Sequence, residues 1–164
     1  MKPKRIEPGP GQESVWDYPR PPRIEPTEKR IRVYFNGELI AETTRAIRFL
    51  ETSHPPTYYI PPEDFKQEYL SANPRSSYCE WKGRAFYYDL DVNGKKIEGA
   101  GWYYPDPVAE YAILKDHIAI YPSLMDSCYV DDEKVQPQAG DFYGGWITSD
   151  IVGPFKGEPG TMFW

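Results

Sequence analysis

Two Asn-Gly pairs, Asn36-Gly37 and Asn93-Gly94, each separate stretches rich in β-branched and aromatic residues. A two-residue type I′ turn needs positive φ at both central positions, which Asn-Gly adopts readily, so each pair predicts an antiparallel hairpin. The 18 prolines agree with this reading, because proline is excluded from helix interiors and central strands. The sequence therefore predicts a mainly β fold of short antiparallel strands with a few short helices.

The hairpin at Asn93-Gly94 also predicts which side chains share a face. If its register continues unbroken from the turn, Ala85 lies opposite Trp102 and Tyr87 lies opposite Ala100. One face then pairs small residues with large rings and is predicted to be core: Cys79, Trp81, Gly83, Ala85, Tyr87, Ala100, Trp102 and Tyr104. The other face is predicted to leave glycine backbone uncovered beside cations and rings: Lys82, Arg84, Phe86, Tyr88, Ile97, Gly99, Gly101 and Tyr103.

Three short helices are predicted from capping residues and first-turn prolines. The first begins at Thr43 or Thr44 and turns Ile47 and Leu50 inward. The second and third cover residues 61–70 and 108–114. Further strands are predicted at residues 58–60, 118–121, 127–130 and 133–135.

Proline and aromatic content divide the chain into three parts. Residues 1–30 contain seven prolines and form a predicted extended arm. Because Val15, Trp16 and Tyr18 have apolar area to bury, the arm is expected to wrap its own domain rather than extend as a free tail. Residues 31–139 form the predicted core domain, and the Gly-rich, aromatic residues 140–164 a tail packed on it.

Composition excludes several functional classes. A net charge of -6 and a pI near 5.0 argue against nucleic-acid binding, which normally needs a positive face. The sequence has no long apolar run, so we expect neither a membrane span nor a secretion signal. A cytoplasmic location is therefore predicted. Two cysteines, Cys79 and Cys128, are too few for a disulfide framework or a four-thiolate zinc site. No metal and no cofactor is expected.

Three segments carry a resemblance to a known family: Tyr59 to Asp64, Cys79 to Gly83 and Trp102 to Pro107. They resemble the bacterial domain-of-unknown-function family numbered 427, sometimes labelled nucleotidyltransferase-type, over roughly residues 31–135. The segments at residues 14–19 and 143–146 are similar to extensions of its longer members. The resemblance implies bent antiparallel sheets similar to the β-tent or Mss4-like fold. Better-known proteins of that fold hold zinc between Cys-x-x-Cys pairs, which this sequence lacks, and it has no glycine-rich phosphate cradle either.

The predicted ligand-binding residues combine cations, a histidine and aromatic rings. They are Lys82, Arg84, Phe86, Tyr88, Tyr103, His54, Tyr59 and Trp102. Their alternative interpretation is a solvated sheet face with an exposed loop histidine. Cys79 beside Lys82 would make a reactive thiolate only if both side chains shared a face, whereas strand alternation separates them, which favours a packed thiol.

Three functional classes remain open on this evidence. The first is a β-domain that binds a small molecule or a partner chain on a concave aromatic surface. The second is a small metabolic enzyme that uses Lys82, Cys79, His54 and nearby tyrosines. The third is a homo-oligomeric assembly protein whose arm and tail pack on a second copy.

Overall fold

The computed structural model describes residues 3–140 and 143–164, so Asp141 and Phe142 of the predicted tail lie outside it, as do the first two residues of the arm. The described chain is mainly β with antiparallel sheets, as predicted. Its strands are β1 (Glu13–Ser14), β2 (Arg23–Pro26), β3 (Ile31–Phe35), β4 (Glu38–Thr43), β5 (Ile47–Leu50), β6 (Thr57–Tyr59), β7 (Leu70–Cys79), β8 (Gly83–Val92), β9 (Lys95–Tyr103), β10 (Ile118–Ile120), β11 (Ser127–Val130), β12 (Glu133–Lys134), β13 (Gln136–Pro137), β14 (Trp146–Ile147) and β15 (Ile151–Val152).

The helical segments of these residues are single 3-10 turns or short runs of them: Val15–Asp17, Pro62–Asp64, Gln67–Tyr69, Ala109–Leu114 and Pro122–Leu124. The second predicted helix is thus split into two turns, and the third is a 3-10 segment. None of the helices described is long and apolar enough to cross a bilayer. The more specific likeness to a β-tent stays a prediction.

Both predicted Asn-Gly hairpins are present. Asn36 and Gly37 have φ of 49° and 78° and join β3 to β4, and Asn93 and Gly94 have φ of 50° and 87° and join β8 to β9. Positive φ at both central positions is the type I′ requirement. The first hairpin lies in a sheet of order β12-β11-β3-β4, and the second in a sheet of order β10-β9-β8-β7.

A bulge in β9 changes the predicted register of the second hairpin. Pairs near the turn match the prediction, but beyond it Tyr87 pairs with Trp102 rather than with Ala100. Gly99 lies in the bulge with φ of 63°, and its backbone N–H donates to the buried carboxylate of Asp89 at 2.8 Å. The shift moves the strands by two residues, so the facing partners change while most of the predicted face is kept. Ala100, next to the bulge, is the exception, because it belongs to the cluster of Leu90 and Val92 rather than to that of Trp102.

The first predicted helix is wrong. Residues 47–50 form β5, the centre of the three-stranded sheet β2-β5-β6, with all four side chains buried. A four-residue apolar run fits either a helix or a doubly buried strand, and the deciding partner here is the distant arm strand β2. Long-range pairing therefore overrides the local capping signal.

The N-terminal and C-terminal segments pair with each other and with the centre of the chain. Strand β1 pairs in parallel with β15, and the Trp16 and Trp164 rings lie 5.6 Å apart. Arg48 on β5, which is almost fully buried, holds Glu13 and Glu25 of the arm in ion pairs. The predicted domain bounds at residues 30 and 139 stay a prediction.

The sheet β10-β9-β8-β7 has apolar side chains packed on both faces. Strand β10 shows this, because Ile118 and Ile120 belong to one buried cluster and Ala119 to another. The second cluster contains Ala85, Trp102 and Tyr104, with Cys79, Trp81 and Tyr87 packed against it, as the face analysis predicted. The candidate site lies at the border of this second cluster.

Candidate functional site

Lys82 lies in the turn between β7 and β8, and its side chain points into the second buried cluster. Lys82 is only 9% exposed. The prediction that it shares a face with Arg84 is wrong, because the alternation of strand side chains does not extend into the turn. Gly83, which follows it, has φ of 111°, and the carbonyl O of Lys82 accepts from the N–H of Val108 at 3.0 Å. These features turn the side chain inward.

The Lys82 ammonium is surrounded by aromatic groups. Its Nζ donates to the hydroxyl of Tyr59 at 2.7 Å and lies 4.1 Å from the Phe49 ring centroid and 5.0 Å from that of Tyr104. The Tyr59 hydroxyl also accepts from Nε1 of Trp102 at 3.2 Å, which fixes its position. Cation–π contacts of this kind stabilise an ammonium taken out of water.

A cavity of about 230 Å³ opens beside Lys82, and we call it the Lys82 pocket. Two more predicted site residues, His54 and Trp102, line it together with Phe49 and Glu51. The pocket also has walls that the sequence analysis did not assign: Pro55, Thr57, Gln138, Tyr143 and Gly144. Segments far apart in the sequence therefore meet in one cavity.

The tail reaches this pocket through close contacts at two glycines. A Cβ on Gly144 would lie 2.3 Å from the Trp102 ring, and one on Gly145 would lie 2.6 Å from Pro55. Side chains at these positions would push the tail away from the cavity. The Gly-Gly pair before the fully buried Trp146 was the sequence signal for this approach, although the sequence does not reveal its partners.

Gln138 fixes the tautomer of His54. Its Oε1 accepts from the N–H of Gly145 at 3.1 Å, and its Nε2 donates to the carbonyl O of Lys156 at 2.7 Å. Because these contacts set the amide orientation, the Gln138 atom that lies 3.2 Å from His54 Nδ1 is also a donor. We therefore assign the proton of neutral His54 to Nε2. Among the residues described, this Nε2–H has no hydrogen-bond partner.

The electrostatic environment of His54 is positive. Burial, followed by the charges of Lys156, Arg20 and Lys82, lowers the pKa of His54 from 6.5 to about 4. The ring is neutral at pH 7. Glu51, which also lines the cavity, is 3.5 Å from Arg20 and pairs with it. Within the described ranges, Lys82 itself forms no ion pair.

The remaining predicted residues form a separate aromatic patch on the opposite sheet face. The rings of Tyr88 and Tyr103 are stacked with centroids 4.4 Å apart, and Phe86 lies 6.2 Å from Tyr103. Arg84 is exposed on the same face and donates to Ser76 at 3.3 Å. The patch contains neither Lys82 nor His54, so the eight predicted residues divide between two faces.

The predicted exposure of glycine backbone beside this patch is wrong. A Cβ on Gly101 would lie 2.8 Å from the carbonyl O of Ala119, because β10 covers this part of β9. A Cβ on Gly99 would lie 2.9 Å from the guanidinium of Arg75. The Gly101 backbone is therefore closed to a ligand, whereas Gly99 lines a cavity beside Arg75 rather than the aromatic patch. The glycines serve strand packing and the bulge instead.

The cysteines are placed as packing residues. Cys128 is buried, and burial raises the pKa of its thiol. Cys79 is half-buried and packs against the second cluster without lining the Lys82 pocket. Within residues 3–140 and 143–164, no three His, Cys, Asp or Glu side chains come together as potential metal ligands.

The pocket can recognise hydrogen-bond acceptors. It presents an ammonium and an imidazole N–H between aromatic walls, and its carboxylate is already paired with a guanidinium. A carboxylate or another small anion is the group that such donors accommodate best.

Comparison with known proteins identifies the chain at the level of its family. Residues 23–131 match the family described as Domain of unknown function (DUF427), and this match covers more than half of the chain. No match was found among curated proteins. The segments that carry Tyr59, Lys82 and Trp102 all lie inside the matched range, whereas the tail residues of the pocket lie outside it. The chain belongs to the DUF427 family.

Proposed function

We propose that the chain binds a small organic acid in the Lys82 pocket. The acid's carboxylate accepts from Nζ of Lys82 and from Nε2–H of His54. The observation that carries this proposal is the buried Lys82 ammonium, which borders a cavity and has no carboxylate partner among the residues described. A buried charge is costly unless it is compensated, and an anionic ligand supplies the compensation.

The positive surroundings support an anion over a neutral ligand. After burial, which is the largest cause, the charges of Lys156, Arg20 and Lys82 lower the pKa of His54 further. A cation in the pocket would be repelled by the same charges. Because His54 stays neutral at pH 7, its Nε2–H donates a hydrogen bond without adding a further buried charge.

The walls of the pocket indicate the size and shape of the acid. A volume of about 230 Å³ is below the range of roughly 300–1,000 Å³ typical of sites for drug-sized ligands. The rings of Phe49, Trp102 and Tyr143 form much of the lining, which suits a planar or apolar body behind the carboxylate. A small aromatic acid satisfies both constraints.

Benzoate and its neutral analogue benzamide test the proposal, because they differ in charge while sharing shape. Saturation-transfer NMR should show benzoate binding at least about tenfold tighter than benzamide, a difference of about 1.4 kcal/mol. Lys82→Met should remove this preference, since methionine can fill the space among the rings without a charge. Lys66→Met, which changes an exposed lysine outside the pocket, serves as the matched control. Equal binding of both probes, or a benzoate preference that survives in Lys82→Met, would refute the proposal.

An enzyme is the second candidate function. It is favoured by the presence of Lys82 and His54 at one cavity, with a tyrosine hydroxyl 2.7 Å from the lysine. Cys79 does not line that cavity, so a thiolate mechanism is not part of this proposal. Incubation of the bound acid with the protein, followed by NMR of the acid itself, separates the two: a binding protein leaves its spectrum unchanged. Assembly of a homo-oligomer and a cytoplasmic location stay predictions.

A further inference from the structure

A second cavity lies on the same sheet face as the Lys82 pocket, and we propose that it binds a neutral carbohydrate. Its volume is about 590 Å³, within the range typical of ligand sites. It is lined by residues that the Lys82 pocket does not share, among them Arg75, Ser77, Tyr87, Glu98, Tyr121 and Ser123. The proposal is therefore independent of the proposed function.

Arg75 is held over an aromatic ring at one wall of this cavity, which we call the Arg75 pocket. Its guanidinium carbon lies 4.3 Å from the Tyr87 ring centroid, and its backbone N–H donates to Asn73 Oδ1 at 2.8 Å. The Tyr87 hydroxyl is hydrogen-bonded to Ser77 Oγ at 2.8 Å. In the part of the chain that the structure covers, the guanidinium forms no ion pair. Its N–H groups thus remain available to oxygen atoms of a ligand.

The lining matches the chemistry of a sugar better than that of an anion or an apolar compound. Arg75 can only donate hydrogen bonds, the ionised Glu98 can only accept them, and the hydroxyls of Ser77, Ser123 and Tyr121 can do both. Burial raises the pKa of Tyr121 to about 12, so its hydroxyl keeps its proton at neutral pH. Each hydroxyl of a sugar both donates and accepts, which this mixed set satisfies. The Glu98 carboxylate disfavours an anionic ligand.

Aromatic rings supply the complementary apolar surface. The C–H faces of a sugar ring pack on aromatic side chains, and Tyr121 lines the cavity, whereas Arg75 lies over the ring of Tyr87. Tyr121 is backed by Trp102, whose ring centroid is 4.6 Å away. Trp102 also lines the Lys82 pocket, so this ring pair forms the wall between the two cavities.

Maltose, cellobiose and lactose at millimolar concentration are suitable probes, with saturation-transfer NMR as the readout. At least one should receive saturation from the protein. Arg75→Met keeps an apolar stem over Tyr87 but removes the donors, and Glu98→Gln removes the charge while preserving shape. Each should weaken sugar binding about tenfold or more. Arg84→Met, on the opposite face, should leave binding unchanged. Urea denaturation followed by tryptophan fluorescence should give a cooperative unfolding transition for all three variants, which shows that they are folded.

Several outcomes would overturn the carbohydrate proposal. One is the absence of saturation transfer to all three disaccharides. Another is sugar binding that is unaffected by both Arg75→Met and Glu98→Gln, since the sugar would then lie elsewhere. A third is tighter binding of inorganic phosphate than of any sugar, lost in Arg75→Met, because the cavity would then be an anion site. Loss of benzoate binding alone, by contrast, bears only on the Lys82 pocket.

Discussion

His54 should make folding stability depend on pH in a way that a single substitution can isolate. Its pKa is 6.5 in the unfolded chain and about 4 in the folded one, because burial and three cations disfavour its protonation. Between these values the unfolded state binds the proton first, so the free energy of unfolding falls as the pH is lowered from 6.5 toward 4. Above pH 6.5 His54 is neutral in both states, and the protein keeps all of the stability that it loses on acidification. One pKa unit corresponds to about 1.4 kcal/mol, which makes the full effect about 3 kcal/mol.

The assay is urea denaturation at pH 7.5 and pH 4.5, followed by tryptophan fluorescence. His54→Asn is the informative variant, because an asparagine oxygen can still accept the hydrogen bond of Gln138 but does not titrate. The wild type should lose about 2 to 3 kcal/mol more than His54→Asn over this range. Acid effects on carboxylates such as Asp89 and Asp150, whose pKa values are also lowered, are common to both proteins and cancel in the difference.

His117→Asn is the matched control. The histidine at this position is partly exposed and contacts the carbonyl O of Lys115. This variant should lose as much stability as the wild type between the two pH values. If His54→Asn also follows the wild type, then His54 is not buried and neutral in the folded state, and the donor role assigned to its Nε2–H loses its basis.

Three further predictions concern stability and thiol access. Asp89→Ala should lower the free energy of unfolding by about 1 to 3 kcal/mol, because the buried N–H of Gly99 loses its acceptor. Urea denaturation measures this loss, and an unchanged value would contradict the bulge geometry. Arg48→Met should lower the free energy of unfolding by about 2 kcal/mol at low salt, because the carboxylates of Glu13 and Glu25 in the arm lose their contacts with a buried guanidinium. Limited proteolysis near residue 20 should become faster in this variant. Only Cys79 should react with a thiol reagent in the folded protein, and Cys128 should react after denaturation. Rapid reaction of both thiols in the folded protein would contradict the burial of Cys128.

Local signals in the sequence predicted the hairpins well. Asn36-Gly37 and Asn93-Gly94 specify their own turn geometry, so the strands around them follow from residues a few positions away. Most of the core face of the second hairpin was also predictable, because the bulge moves the register by two; only Ala100, beside the bulge, belongs to the other cluster. Where the information was not local, the prediction failed: β5 becomes a strand because arm residues 23–26 pair with it.

The candidate site was predicted in part. The residue types at Lys82, His54, Tyr59 and Trp102 attracted attention, and the structure groups these four around one cavity and its inner wall. Their grouping with Arg84, Phe86 and Tyr103 failed because the turn before Gly83 reverses the direction of the Lys82 side chain. Gln138 carries no distinctive local pattern. Its role depends on a backbone contact with Gly145, which only the folded chain brings into place.

The parallel pairing of β1 with β15 has a consequence for biosynthesis and for permutation of the chain. Residues 13–14 meet residues 151–152, so this contact can form only after nearly all of the described chain has been translated. Contacts with such large sequence separation slow folding, because loop closure precedes the gain from pairing. The same contact brings the segment around residue 13 next to the segment around residue 152. A circular permutant that connects the segment after residue 152 to the segment before residue 13 through a linker, and opens at the exposed Asn93-Gly94 turn, should therefore retain both pockets. Its β15 and β1 would be close in sequence.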